Sequence, residues 1–239
     1  MKPAACHRAP DAALPGAEPG TPDSRQRSQL SVLVLAGGQS RRMGRDKAWL
    51  PCAGQPLLAR QIALARRLAP REVLVSGRVG TDYHEFGCAV VYDRHPDAGP
   101  LAGVLAGLEA ARAPLVLTLA VDLPHLTLAL LEDLVGRCGD GVGVVPRLHG
   151  QPEPLVAVYP VRAAPVAVAM LEGQERAVQA FAERCQQTGL VVFHDLPPAQ
   201  QGALANWNSP VDVAASGLAR SGQAAEQGAV RHSAPSLPG

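Results

Sequence analysis

Aromatic residues are scarce: three Phe, three Tyr and two Trp, or 3% of 239 residues. That scarcity argues against stacking platforms for single-stranded nucleic acid and leaves Ala, Leu and Val to build the core. Charge of one sign is lacking too. With 22 basic and 21 acidic residues the formal net charge is +1, which excludes binding to polyanions by bulk charge, though not through a local basic cluster. The five cysteines, Cys6, Cys52, Cys88, Cys138 and Cys185, are odd in number and widely spaced. They match neither a zinc site nor a disulfide framework and read as reduced, structural thiols.

Long hydrophobic runs are missing as well. The longest, Ala113 to Val121, lies between Arg112 and Asp122 and is far too short to span a bilayer. Residues 1–28 are rich in Pro, Ala and charge, without the apolar core of a signal peptide. A soluble cytoplasmic protein is expected.

What is present is a chain that is 47% hydrophobic and 18% charged, enough to bury a sizeable core. Pro3, Pro10, Pro15, Pro19 and Pro22 break up the N-terminal segment, and residues after about 218 are rich in Ala, Gly, Ser and Gln. Residues 1–30 and 218–239 are therefore expected to be disordered tails around one folded domain, 31–217.

Within that domain short β-branched runs alternate with helical periodicity. Strands are expected at 31–36, 72–75, 88–92, 115–121, 142–145, 154–159 and 190–193. Helices are expected at 56–68, 100–111, 127–137, 162–171 and 175–187. The alternation predicts a doubly wound α/β fold with a mostly parallel sheet, whose ligands bind beyond the carboxyl ends of the strands.

The first strand runs into Ala36-Gly37-Gly38-Gln39-Ser40-Arg41-Arg42-Met43-Gly44-Arg45-Asp46-Lys47. Adjacent glycines let the backbone approach a ligand with its N–H groups toward phosphate oxygens, and Arg41, Arg42, Arg45 and Lys47 add four nearby cations. Neither a Walker A loop nor a Gly-x-Gly-x-x-Gly dinucleotide motif is present. Asp122 ends the most apolar strand, where its carboxylate would serve a hard cation such as Mg²⁺. The same residue would also suit a helix N-cap for the segment beginning near Pro124. Asp93 follows a strand in the same way, as a ligand-site acid or as an exposed turn residue. Gly103 and Gly107 are expected to let their helix approach the sheet.

The run from Leu35 to Ala48, followed by Gly54-Gln55-Pro56-Leu57, resembles the signature of the molybdenum cofactor guanylyltransferases, members of the nucleotidyltransferase superfamily. Three later segments agree: Val90-Val91-Tyr92-Asp93 with Gly99-Pro100-Leu101-Ala102-Gly103, then Ala120-Val121-Asp122-Leu123-Pro124, and Asn206-Trp207-Asn208-Ser209-Pro210-Val211-Asp212. Departures are Ala120 and Val121 where the family more often has Pro or Cys, Ser209 and Val211 in the last segment, and Ser76-Gly77-Arg78 where it often has an Asn that contacts the nucleotide. Ser76 keeps a hydroxyl but lacks the amide.

The resemblance implies a Rossmann-like nucleotidyltransferase fold and transfer of GMP from GTP to the terminal phosphate of molybdenum-bound molybdopterin, with release of pyrophosphate. It implies a nucleotide site of Leu35, Ala36, Gly37, Gly38, Lys47, Ser76, Asp93 and Asp122. Arg42, Lys47 and Asp122 would be catalytic, and Asp122 would hold Mg²⁺. Implied partners are the two small-molecule substrates and transient contacts with molybdenum-insertion proteins or molybdoenzyme chaperones. The alternatives are cytidylyl transfer to the same pterin, whose enzymes tend to read Leu-Ala-Ala-Gly at the first turn where Gly38 stands here, a sugar-phosphate nucleotidyltransferase, and a nucleotide-binding module without catalysis.

Overall fold

The computed structural model describes residues 28–37, 47–95 and 98–205. Most of the expected tails, together with Gly38, Arg42 and the segment Asn206–Asp212, lie outside the described residues.

In chain order the elements are β1 (Leu30–Leu35), β2 (Pro51–Cys52), β3 (Gln55–Pro56), α1 (Leu57–Arg67), β4 (Glu72–Ser76), β5 (Ala89–Val91), α2 (Pro100–Ala110) and β6 (Leu115–Ala120). Then come α3 (Leu128–Gly136), β7 (Gly143–Leu148), β8 (Gln151–Pro152), β9 (Val156–Pro160), α4 (Ala164–Glu172), α5 (Val178–Gln187), β10 (Val191–Asp195) and α6 (Pro198–Gln201). The main sheet runs β10-β7-β9-β6-β1-β4-β5, with β8 paired to β7. β1 lies parallel between β4 and β6, and β5 lies parallel to β4. The mostly parallel, doubly wound sheet expected from the alternation is present.

β1 and β6 are apolar along almost their whole length because helices cover both faces of the sheet, so neither set of alternating side chains meets water. On one face α2, α4 and α5 pack around Leu101, Leu105, Met170, Phe181 and Cys185. On the other, α1 and α3 pack through Leu57, Ile62, Leu130 and Leu134. The close approach of α2 depends on its glycines: a Cβ on Gly107 would collide with the Leu33 side chain, and one on Gly103 would lie 2.8 Å from Ser76 Oγ.

β9 runs against both its neighbours, β6 and β7. The cause is local. After β7 the chain reverses at His149 and Gly150, with φ of +50° and +79°, the left-handed pair of a two-residue hairpin turn. β8 then leads directly into β9, too short a path for a parallel crossover.

Candidate active site at the carboxyl edge of the sheet

From β1 the chain goes outward to β4 and β5, then crosses back to place β6 on the other side of β1. The reversal leaves a crevice beyond the carboxyl ends of β1 and β6, where ligands bind in doubly wound sheets. Leu35 is in register with both Ser76 and Ala120, and Ser76 with Val91. Asp93 and Asp122 therefore each stand two residues beyond one common level. Three strand spacings separate their strands, about 14 Å at ordinary inter-strand distances, with the ends of β1 and β4 between them. Gly37 and both acids share this edge. Asp122 is half-buried and Asp93 exposed.

At the end of β1, the Ala36 N–H donates to the Ser76 carbonyl (2.9 Å). Gly37 follows, where a Cβ would lie 3.5 Å from the Gly77 carbonyl oxygen and 3.6 Å from that of Ser76. Ser76 is only 4% exposed, and its Oγ lies against α2 at Gly103. Its carbonyl is taken by Ala36, so at this edge Ser76 supports the β1 turn while its hydroxyl faces the helix. The Leu35 side chain packs on the same face of the sheet, beside Gly103.

Gly77 is required by crowding: a Cβ there would lie 2.6 Å from Tyr83 Cε2 and 2.8 Å from Val90 Cγ1. The buried Tyr83 accepts a hydrogen bond on its hydroxyl from the Arg78 N–H (3.1 Å). Trp49 packs over Tyr83 and Phe86, with ring centroids 6.5 and 5.3 Å away. This stack anchors the single helical turn Lys47–Trp49. Ala48 within that turn is fully buried.

Asp122 occupies a turn between β6 and α3. Thr127 caps α3, accepting the Leu130 N–H (3.3 Å), so the capping role weighed for Asp122 belongs to another residue. Two donors from α1 hold the turn just after Asp122: Arg60 Nε to the Pro124 carbonyl (2.9 Å) and Gln61 Nε2 to the Leu123 carbonyl (2.7 Å). Gln61 is fully buried. Nothing in the local sequence singled it out, since a glutamine on the buried face of a helix gives no periodic signal.

The Gly99-Pro100-Leu101-Ala102-Gly103 segment has a separate reason for each special residue. Gly99 has φ +76°, a conformation glycine adopts without strain. Pro100 is at the first helical position, where a missing N–H costs nothing. Gly103 admits Ser76 and Leu35. Among the described residues no group of three or more His, Cys, Asp or Glu is arranged to hold a metal. Burial pushes the Cys138 and Cys185 thiols up to about 12, as suits structural cysteines. No helix among the described residues is long and apolar enough to cross a membrane.

Residues 32–190 match the model of the MobA-like NTP transferase domain. The chain is 38% identical over 192 residues to a probable molybdenum cofactor guanylyltransferase of Opitutus terrae, covering 79% of this chain and 95% of that protein. It is 36% identical over 184 residues to the molybdenum cofactor guanylyltransferase of Pseudomonas putida, covering 75% and 93%. The crystal structure of molybdopterin-guanine dinucleotide biosynthesis protein A from Archaeoglobus fulgidus superposes with a TM-score of 0.61 at 23% identity, over 82% of this chain and 99% of that one. A doubly wound sheet with Gly37 and the strand-end acids on one edge, matched over most of its length, makes this chain a member of the MobA-like NTP transferase family.

Proposed function

We propose that the protein transfers GMP from GTP to the terminal phosphate of molybdenum-bound molybdopterin, yielding the guanine dinucleotide form of the cofactor and pyrophosphate. The observation that carries the proposal is the meeting of the Gly37 turn and Asp122 at the β1/β6 crevice, in a chain whose relatives bear that activity in their names. An oxygen of the acceptor phosphate attacks the α-phosphorus of GTP in line; its bond to that phosphorus forms as the α–β bridging bond breaks. The acceptor phosphate is already ionised at neutral pH, so no general base is required. Catalysis then consists of positioning and charge neutralisation.

In this scheme the N–H groups of Gly37 and Gly38 cradle the triphosphate, and Arg42 and Lys47 stabilise the β- and γ-phosphates as they depart. Leu35, Ala36, Ser76 and Asp93 shape the nucleotide side. Asp122 suits Mg²⁺: it is a hard oxygen donor at the edge, half-buried, in a turn clamped by Arg60 and Gln61. Bound there, Mg²⁺ would neutralise charge on the triphosphate. The reaction is assigned to the cytoplasm, with the product handed on through transient contacts with proteins that use the cofactor.

The test is pyrophosphate release by the purified full-length protein with Mg²⁺, molybdate-loaded molybdopterin and each of GTP, CTP, ATP and UTP. Release with GTP alone is expected. Release with CTP alone would move the assignment to cytidylyl transfer, and none with any nucleotide would leave a binding module.

A further inference from the structure

Gly37 follows β1, whereas Lys47 opens the separate turn Lys47–Trp49. Three residues make up that turn, too few to hold a conformation through their own hydrogen bonds. Its place is set by what the neighbours of Lys47 touch. Ala48 is fully buried in the core cluster with Cys52, Leu57 and Leu58, and the Leu50 carbonyl accepts the Leu57 N–H (2.9 Å). Trp49 instead lays its ring on residues that follow β4. It stacks on Tyr83 with an interplanar angle of 19° and tilts against Phe86 at 44°.

Those two rings are themselves pinned. The Phe86 N–H donates to the Tyr83 carbonyl (3.1 Å), and Arg66 Nη2 of α1 donates to the Phe86 carbonyl (2.7 Å). From Tyr83 the contacts continue to the end of β1. The Tyr83 hydroxyl accepts the Arg78 N–H, its ring leaves Gly77 no room for a side chain, and the Gly77 carbonyl oxygen lies 3.5 Å from where a Gly37 Cβ would stand. Trp49, Tyr83, Gly77 and Gly37 are thus successive members of one packed row, and a close-packed interior transmits displacements. Trp49 is the outermost member, 36% exposed, so truncating it opens no enclosed cavity.

We propose that Trp49 is a positioning residue, setting where Lys47 stands relative to Gly37. This rests on the proposed function, in which Lys47 meets the β- and γ-phosphates and Gly37 the same triphosphate. Two contacts on one triphosphate need a fixed mutual placement, and a misplacement of about 1 Å costs up to about a hundredfold in rate. Trp49 acts through Lys47 and takes no part in the chemistry itself.

The experiment is a double-mutant cycle of Trp49→Ala with Lys47→Ala in the full-length chain, with Trp49→Phe as the conservative variant. Turnover and KM for GTP are measured at saturating molybdate-loaded molybdopterin. The dissociation constant of magnesium pyrophosphate is measured by calorimetry without acceptor, a readout that needs no turnover. Expected for Trp49→Ala is a kcat lowered about tenfold or more, with KM for GTP within about threefold, because the contact is made chiefly as the phosphates depart. Pyrophosphate should bind about fivefold more weakly, and Trp49→Phe should regain most of both losses. In the Lys47→Ala background the same Trp49→Ala change should cost less than about twofold in either quantity. Equal fractional losses in the two backgrounds would overturn the proposal and leave Trp49 a packing residue. So would wild-type kcat and pyrophosphate binding in Trp49→Ala. Coupling in pyrophosphate binding without turnover in the wild-type chain would remove the proposed function while upholding the placement of Lys47 by Trp49.

Discussion

Replacing Gln61 by leucine separates what holds the Asp122 turn from what holds the fold. Two contributions to stability oppose each other. The variant loses the bond from Gln61 Nε2 to the Leu123 carbonyl, but that oxygen keeps a longer bond from the Leu126 N–H (3.3 Å). The loss is then that of one ordinary hydrogen bond, about 0.5–1.5 kcal/mol. Against it, Gln61 Oε1 is buried with no hydrogen-bond partner, and removing such an atom relieves about 1–3 kcal/mol. The net change lies between roughly zero and slight stabilisation, so the thermal midpoint should stay level or rise by a few degrees at about 2–4 °C per kcal/mol. Function should move the other way. With one of two clamps gone, part of the binding energy at Asp122 goes into ordering its turn, and about 1.4 kcal/mol of ordering is a tenfold weaker midpoint. The assay is pyrophosphate release titrated with Mg²⁺, alongside calorimetry. A variant that loses ten degrees of midpoint while keeping the wild-type Mg²⁺ dependence would refute the clamp and leave Gln61 a packing residue.

Three other outcomes are expected. Asp122→Ala should abolish Mg²⁺-dependent turnover with the circular dichroism spectrum unchanged, because Thr127 caps α3; unfolding would assign Asp122 a structural role. Gly77→Ala should destabilise by about 1–3 kcal/mol, the usual range for overpacking, as its Cβ meets Tyr83 and Val90, and a denaturant titration with an unchanged midpoint would contradict that. The third concerns acid. Burial, with the Arg137 charge, lowers the His194 pKa below 6.5, against the opposing pull of Asp133 and Asp195. The unfolded chain then binds more protons than the folded one between the depressed value and 6.5, so stability falls as pH drops through that window. His194→Gln should flatten this part of the midpoint-against-pH curve, and a slope equal to wild type would remove His194 as its source.

Much of the fold was legible because its central strands advertise themselves. β1 and β6 are buried on both faces, so their apolar runs stand out, and Gly99-Pro100 marks the start of α2 through two independent backbone requirements. The reversal of β9 was not legible, because it depends on His149 adopting a left-handed conformation that is more familiar for Asn. The hairpin of β2 and β3 was hidden likewise, with Ala53 at φ +52° before Gly54 at +82°. At the site, strand order alone was enough to bring the β1 turn and Asp122 to one edge. The direction of the Ser76 hydroxyl was not readable, since it depends on how near Gly103 lets α2 come. Gln61, Arg60 and Tyr83 act across 62, 64 and 5 residues of sequence, and only folding reveals who their partners are.

The separation of Thr127 from Asp122 bears on how such a chain ages. Because Thr127 caps the following helix, a change at the acid leaves that cap in place. On the function proposed, descendants that keep the sheet and a pocket for nucleotides, yet have fallen silent as catalysts, lie a single codon away.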